Sequence, residues 1–351
     1  MVKIDCIILL LIMGCGCNLS EKRPQIQDVQ GKQILNSDNI WLSHEHILVD
    51  FIGADSIQPD SWNHDSIIKE ITPYFEELKA FNVKYFVDAT PNYLGRDALL
   101  LEKIAIKTGV RIITNTGLYG VGNNKYIPQY ALDMTAEELS EIWINEYKYG
   151  IHKTSVKPGF VKIGIDVADS LHPMHQKLVK AAALTHLKTG LTIASHTGKA
   201  KGLWPQLEIL KETGVSPASF IWVHAQAEDN NDSYLKAAEM GCWISLDGVG
   251  WELEKHIEKL LFAKRNGILD RFLISHDAGW YDPQDAGWYD PQKEIQTIKP
   301  FTTIFTQLLP ELKSHGFTDD EIKLLLRVNP SKAFAIEIRK YPFDKREKQL
   351  E

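Results

Sequence analysis

Two histidines one residue apart, in Ser43-His44-Glu45-His46, close an apolar run that begins at Ile40. Side chains of an extended strand repeat every two residues, so both imidazoles leave the same face and can meet one ion. Three more short apolar runs end in comparable residues: Ala194-Ser195-His196, Trp222-Val223-His224 and Ile274-Ser275-His276-Asp277. A further run, Phe160-Val161-Lys162-Ile163-Gly164-Ile165, carries one Lys among apolar neighbours. Taken singly, each has a plain reading. A His at a strand end is commonly a hydrogen-bonded rim residue, an Asp there an N-cap, and a strand Lys can extend its ammonium to the rim. The order His-x-His, Lys, His, His, Asp across five strand ends answers no structural need, and its residue types are those of a metal centre.

Elements must bring these ends together. Eight runs rich in β-branched and aromatic residues read as strands: 40–43, 85–89, 111–114, 160–165, 192–195, 220–223, 243–246 and 272–275. Amphipathic stretches fall between them, among them 66–81, 98–108, 135–149, 174–189 and 233–240. Alternation of this kind implies parallel pairing through right-handed crossovers. Eight units predict an α/β fold, a single-domain (β/α)8 TIM barrel, with an open doubly wound sheet as the alternative. In such a barrel the catalytic groups come from the C-terminal ends of several strands, which is where these residues stand.

The order of ligands, with the words Ser43-His44-Glu45-His46, Phe160-Val161-Lys162-Ile163 and Asn329-Pro330-Ser331-Lys332-Ala333-Phe334, resembles the phosphotriesterase family of the amidohydrolase superfamily. The likeness runs from about Ile40 to Ile338. It implies two divalent ions, usually zinc, at the C-terminal face. His44, His46 and Asp277 would hold the more buried ion, His196 and His224 the more exposed one. Lys162, carboxylated on its amine by carbon dioxide, would bridge both. A carbamate supplies two anionic oxygens on a long stem, whereas a buried ammonium between two dications is strongly disfavoured.

What the resemblance implies for activity is hydrolysis by a metal-bridging hydroxide, with Asp277 as the catalytic proton acceptor. The expected substrate is a lactone, carboxylic ester or phosphotriester-like small molecule. The alternatives are a phosphodiesterase or amidase variant, for which Lys199 and Lys201 would read a charged group, and an inactive small-molecule-binding lipoprotein. Tyr119, after the third strand, falls where family members carry an aromatic near the exposed ion; it reads equally as a rim aromatic. His276, opposite in phase to Asp277, reads as support or packing. After the seventh strand, lactonase-like members show an Arg-Tyr pair where this chain has Asp247-Gly248-Val249-Gly250. The octapeptide 277–284 recurs unchanged as 285–292, which offers Asp285 as a rival to Asp277. Asp277 directly follows the strand and is the expected ligand. The duplicated Trp280, Tyr281, Trp288 and Tyr289 either contact substrate or pack on one another.

The ends read as an address and a tail. Residues 1–17 resemble a signal peptide with a lipobox, Ile12-Met13-Gly14-Cys15, acylated at Cys15 rather than Cys17. The expectation is an exported, membrane-anchored bacterial lipoprotein with a tether over 18–39, a barrel over 40–338 and a charged tail over 339–351. The apolar run is shorter than the roughly 20 residues that span a bilayer. A net charge of −7 without a basic stripe argues against nucleic acid as partner. Of the four Cys, Cys6 and Cys15 belong to the signal and lipobox, and the remaining Cys17 and Cys242 make no disulfide framework. A homodimer is the default assembly.

Overall fold

The computed structural model describes residues 24–58, 61–168, 170–283 and 300–342 of the 351. A hairpin, β1 (Gln25–Asp28) and β2 (Gly31–Ile34), precedes the barrel. The barrel strands follow as β3 (Ile40–Leu48), β4 (Val83–Asp88), β5 (Arg111–Ile113) continued by β6 (Asn115–Thr116), β7 (Phe160–Gly164) and β8 (Thr192–His196). The circuit is completed by β9 (Phe220–Val223), β10 (Trp243–Leu246) and β11 (Phe272–Ile274), with β12 (Gly279–Tyr281) added beyond it. Helices α1 (His64–Lys79), α2 (Ala98–Thr108), α3 (Gln129–Asp133), α4 (Ala136–Tyr149), α5 (Pro173–Thr189), α6 (Ala200–Glu212), α7 (Asp232–Glu239) and α8 (Leu253–Arg265) fill the crossovers. Strands pair in parallel and in chain order from β3 to β5 and from β6 to β11, and β12, which continues the eighth strand, pairs in parallel with β3; this is the (β/α)8 barrel expected from the alternation.

Local signals explain the helices. Asp97 caps α2 through the Leu100 amide, and Gly109 at φ 76 ends it in the left-handed conformation. Thr135 and Glu138 form a capping box at the start of α4. Ile67, Ile71, Phe75 and Leu78 put one stripe of α1 against the strands.

Inside the barrel the two-residue period sorts packing from chemistry. Trp41, Tyr85, Phe160, Ala194, Trp243 and Leu273 form one buried cluster that fills the lower interior. Two residues above Phe160 stands Lys162, two above Ala194 stands His196, and four above Trp243 and Leu273 stand Asp247 and Asp277. In β3 simple alternation would set His44 and His46 out of phase with Trp41. Register shifts against β4, one of them between Leu42 and Glu45, restore the phase and turn both imidazoles toward the interior.

The tether expectation needs correction. Within 18–39 the β1–β2 hairpin closes the N-terminal end of the barrel, with Ile26 in the interior cluster and the Val29 amide bonded to the Ile112 carbonyl at 2.9 Å. Burying Ile26 there contributes on the order of 2 kcal/mol, enough to hold a short polar hairpin in place. The tail also starts later than expected. The Arg339 amide donates to His186 Nε2 at 2.9 Å and its guanidinium to Thr192 Oγ1 at 3.1 Å. Residues 343–351, the leader and Cys15 lie outside the described residues.

Candidate metal centre

The six expected ligands come together. A single cavity of about 90 Å3 at the C-terminal ends of the strands is lined by His44, His46, Lys162, His196, His224 and Asp277, with Tyr119 and Trp280 beside them. Asp277 Oδ1 lies 3.0 Å from His46 Nε2 and 3.6 Å from His44 Nε2. Nitrogen or oxygen atoms of His44, His224 and Asp277 all fall within 4.8 Å of one another, a spacing one ion can span.

Each imidazole is oriented from behind. His46 Nδ1 is hydrogen-bonded to Thr90 Oγ1 at 2.8 Å, and His196 Nδ1 to the Tyr119 hydroxyl at 2.9 Å. His224 Nδ1 meets Asp247 Oδ1 at 2.7 Å, while His44 Nδ1 lies 3.6 Å from Asp247 Oδ2. A carboxylate only accepts, so it fixes the proton of His224 on Nδ1 and leaves the Nε2 lone pair for a ligand. Burial acts against the charge on Asp247, but His224 and His44 outweigh it and hold the carboxyl well below its usual range. Burial likewise acts to lower His224, and Asp247 overcomes it, so that His224 is raised. Burial, helped by the Lys162 charge at His44 and by His224 at His196, draws those two rings well below the ordinary imidazole value. Both are therefore neutral near pH 7, the form that donates a lone pair.

These residues fit a metal ion. His44 Nε2 is buried with no hydrogen-bond partner although it faces the Asp277 carboxylate. Such an orphan is costly unless something outside the chain satisfies it. Lys162 is 2 % exposed, and among the described residues no hydrogen bond or ion pair to its ammonium is found. Burial pushes its ammonium down to about 8, which raises the share of free amine, the form that reacts with carbon dioxide.

Backbone strain gathers at the same place. His224, Asp277 and Trp280 have φ of 60°, 50° and 76°, values that residues with a side chain seldom adopt. Gly279 is required for its part: a Cβ there would come within 1.9 Å of the His46 carbonyl, where β12 pairs with β3.

Tyr119 and Trp280 reach the cavity; Tyr281 does not. One residue further along β12, it faces the other way and packs on the hydrophobic core. Trp280 stands edge-on to His46, ring centres 5.9 Å apart. Lys199 pairs with Asp229 at 3.1 Å and borders a separate groove of about 650 Å3 that also touches Asp277 and Trp251. Asp285, Trp288 and Tyr289 lie outside the described residues. The residue that sequence reasoning missed is Asp247. It follows an apolar strand in phase with the interior, at the place where lactonase-like members carry an Arg-Tyr pair.

Eight parallel strands whose C-terminal ends gather four His, an Asp and a buried Lys around one small cavity define a (β/α)8 barrel with its candidate site at the strand ends. Residues 24–334 match the Phosphotriesterase family. The chain is 31 % identical over 313 residues to an aryldialkylphosphatase of Saccharolobus solfataricus, covering 87 % of this chain and 98 % of that protein. It is 25 % identical over 296 residues to the N-acetyltaurine hydrolase of Rattus norvegicus, covering 78 % and 81 %. A mutant organophosphorus hydrolase from Deinococcus radiodurans shares the fold, with a TM-score of 0.78 at 24 % identity over 90 % of this chain and 98 % of that one. The chain belongs to the phosphotriesterase family of hydrolases.

Proposed function

We propose that the chain is a binuclear metal-dependent hydrolase of a small neutral ester: a lactone, a carboxylic ester or a phosphotriester. The observation that carries this reading is the orphaned Nε2 of His44 in a cavity shared by all six ligand-type groups. His44, His46 and Asp277 would hold one ion, His196 and His224 the other, with carboxylated Lys162 between; zinc suits this nitrogen and oxygen set. When bound, the ions supply Lewis acidity and lower the pKa of water. The chain's own groups do the rest. Asp277 accepts the proton of the attacking water, and its carboxylate already lies 3.0 Å from the His46 ring. Asp247 keeps His224 in one tautomer. The Tyr119 hydroxyl, raised well above its ordinary pKa by burial and then by Asp277, stays protonated and can donate to a substrate oxygen. An amide substrate is the second reading, favoured by the relative described as an N-acetyltaurine hydrolase.

The test is chelation. Dialysis against a chelator is expected to abolish hydrolysis of a panel of lactones, aryl esters, phosphotriesters and N-acyl amides, and zinc with bicarbonate to restore it. Full turnover by metal-free protein would sink the proposal.

We also propose export and acylation at Cys15. The lipobox word Ile12-Met13-Gly14-Cys15 supports both. Labelled palmitate should enter the chain in a bacterial host, and Cys15→Ser should release it to the soluble fraction while Cys17→Ser does not. Unchanged labelling of the Cys15 variant would overturn the anchor.

A further inference from the structure

We infer that Glu45, the residue between the two histidines of His44-Glu45-His46, is the positioning residue that fixes Asp277 and makes the metal centre independent of the second copy of the octapeptide. This rests on the metal reading of the site. The residue is fully buried and faces away from the cavity, opposite in phase to His44 and His46. Its carboxylate spans the seam where the barrel closes. Oε1 accepts from Ser275 Oγ at 2.7 Å, from the His276 amide at 3.0 Å and from His276 Nδ1 at 2.7 Å; Oε2 accepts from the Ala278 amide at 3.1 Å.

The clamp sits where the closing ladder begins. Between β3 and β11 no ladder is formed among the described residues, and the main-chain bonds across this seam start at Asp277 and continue into the β12–β3 pairing. Below that point side chains make the join: Ser43 Oγ donates to the Ile274 carbonyl, and the His44 amide donates to Ser275 Oγ. The amides held by Glu45 belong to the two residues that bracket Asp277. With both fixed, and with the Asp277 amide bonded to the His44 carbonyl at 3.1 Å, the left-handed φ of 50° at Asp277 is imposed from either side. His276 extends the clamp, because its Nε2 accepts from the Ile304 amide at 3.0 Å, beyond residues 284–299. His276, Ala278 and, through His276, Ile304 are therefore all tied to Glu45.

The test reads zinc binding directly. Metal-free protein in bicarbonate is titrated with zinc against a competing chelating dye. Glu45→Gln keeps an acceptor oxygen for Ser275 and His276 but sets an amide NH2 against the Ala278 amide. We expect one of the two binding steps, that of the ion held by Asp277, to weaken about 10- to 100-fold, as supports behind ligands typically do, with the other step unchanged. A purely structural role would instead lower the melting temperature and weaken both steps together, which would overturn the inference, as would wild-type affinity at both. Deleting 285–292 supplies an arm that does not depend on how the Glu45 variant folds. Because the repeat is exact, removing either copy gives the same chain, with an Asp still following Ser275-His276. Both zinc steps should keep their affinity in that variant. A drop at either would overturn the independence claimed for the site, while binding of no zinc at all by the wild-type protein would overturn the metal reading beneath it.

Discussion

Lys162→Met is expected to melt higher than the parent when both are metal-free, yet to lose nearly all turnover. Lys162 is 2 % exposed with no carboxylate at ion-pair distance among the described residues, and burial, opposed by Asp247 and Asp277, lowers its pKa from 10.5 to about 8. The sign follows from linkage. The unfolded chain keeps its proton to higher pH than the folded one, so the group destabilises the fold at pH below about 8, and that cost fades as pH rises towards 10.5. A shift of this size corresponds to roughly 3 kcal/mol at neutral pH. Met fills a similar volume without charge, so most of that cost should be relieved, giving a rise on the order of 5 °C. Calorimetry in chelator without bicarbonate measures it, and the gap should close by pH 10.5 and above. Activity moves the other way, because the bridging anion is gone: a loss of about 1000-fold or more follows from the several kcal/mol that such a centre supplies. A metal-free variant melting below the parent would mean that the ammonium has a partner in the fold. Unchanged activity would remove Lys162 from the site.

The same period-two reading that makes Lys162 conspicuous made most of the barrel legible. Phe160 and Lys162, Ala194 and His196, Leu273 and Asp277 keep one phase, so the list of strand ends was already a list of neighbours in space. Three features escaped for separate reasons. The register shift of β3 leaves no mark in the residue types of 40–46, yet without it His44 and His46 would not share a side with Trp41. His224 reaches the cavity only through a left-handed φ of 60°, a conformation that His rarely takes and that sequence gives no cause to expect. The hairpin at 25–34 carries few apolar residues, and Ile26 and Val29 gain their burial only when the finished barrel is there to cover them. Tyr281 is different: next to Trp280 in one strand, it could not face the same cavity, and alternation alone should have separated them. Asp247 was visible as a polar strand end but had no meaning until His224 was found 2.7 Å away.

Asp277→Asn is expected to leave the fold intact and to abolish catalysis. Asn is isosteric with Asp and is among the few residues that tolerate a positive φ, so the 50° backbone at this position is no obstacle. What changes is charge. The carboxylate lies 3.0 Å from His46 Nε2 and 3.6 Å from the orphaned His44 Nε2, and an amide there neither offsets a dication nor takes up a proton. Loss of a proton acceptor alone costs about 100- to 10,000-fold, and a weakened metal site adds to it. The expected signature is a collapse of kcat with KM little changed, since the group acts in the transition state rather than in binding. Metal-free melting should stay within about 1 °C of the parent, because no buried hydrogen-bond donor loses its acceptor. The second copy of the octapeptide sharpens the experiment. Asp285 repeats the residue and its seven followers, but it follows Pro283-Gln284 rather than Ser275-His276. Asp285→Asn should therefore turn over at the parental rate, and Asp285 should give no residual activity to Asp277→Asn. If the two variants exchange behaviours, the working carboxylate belongs to the second copy, and the strand-end assignment of Asp277 fails with it.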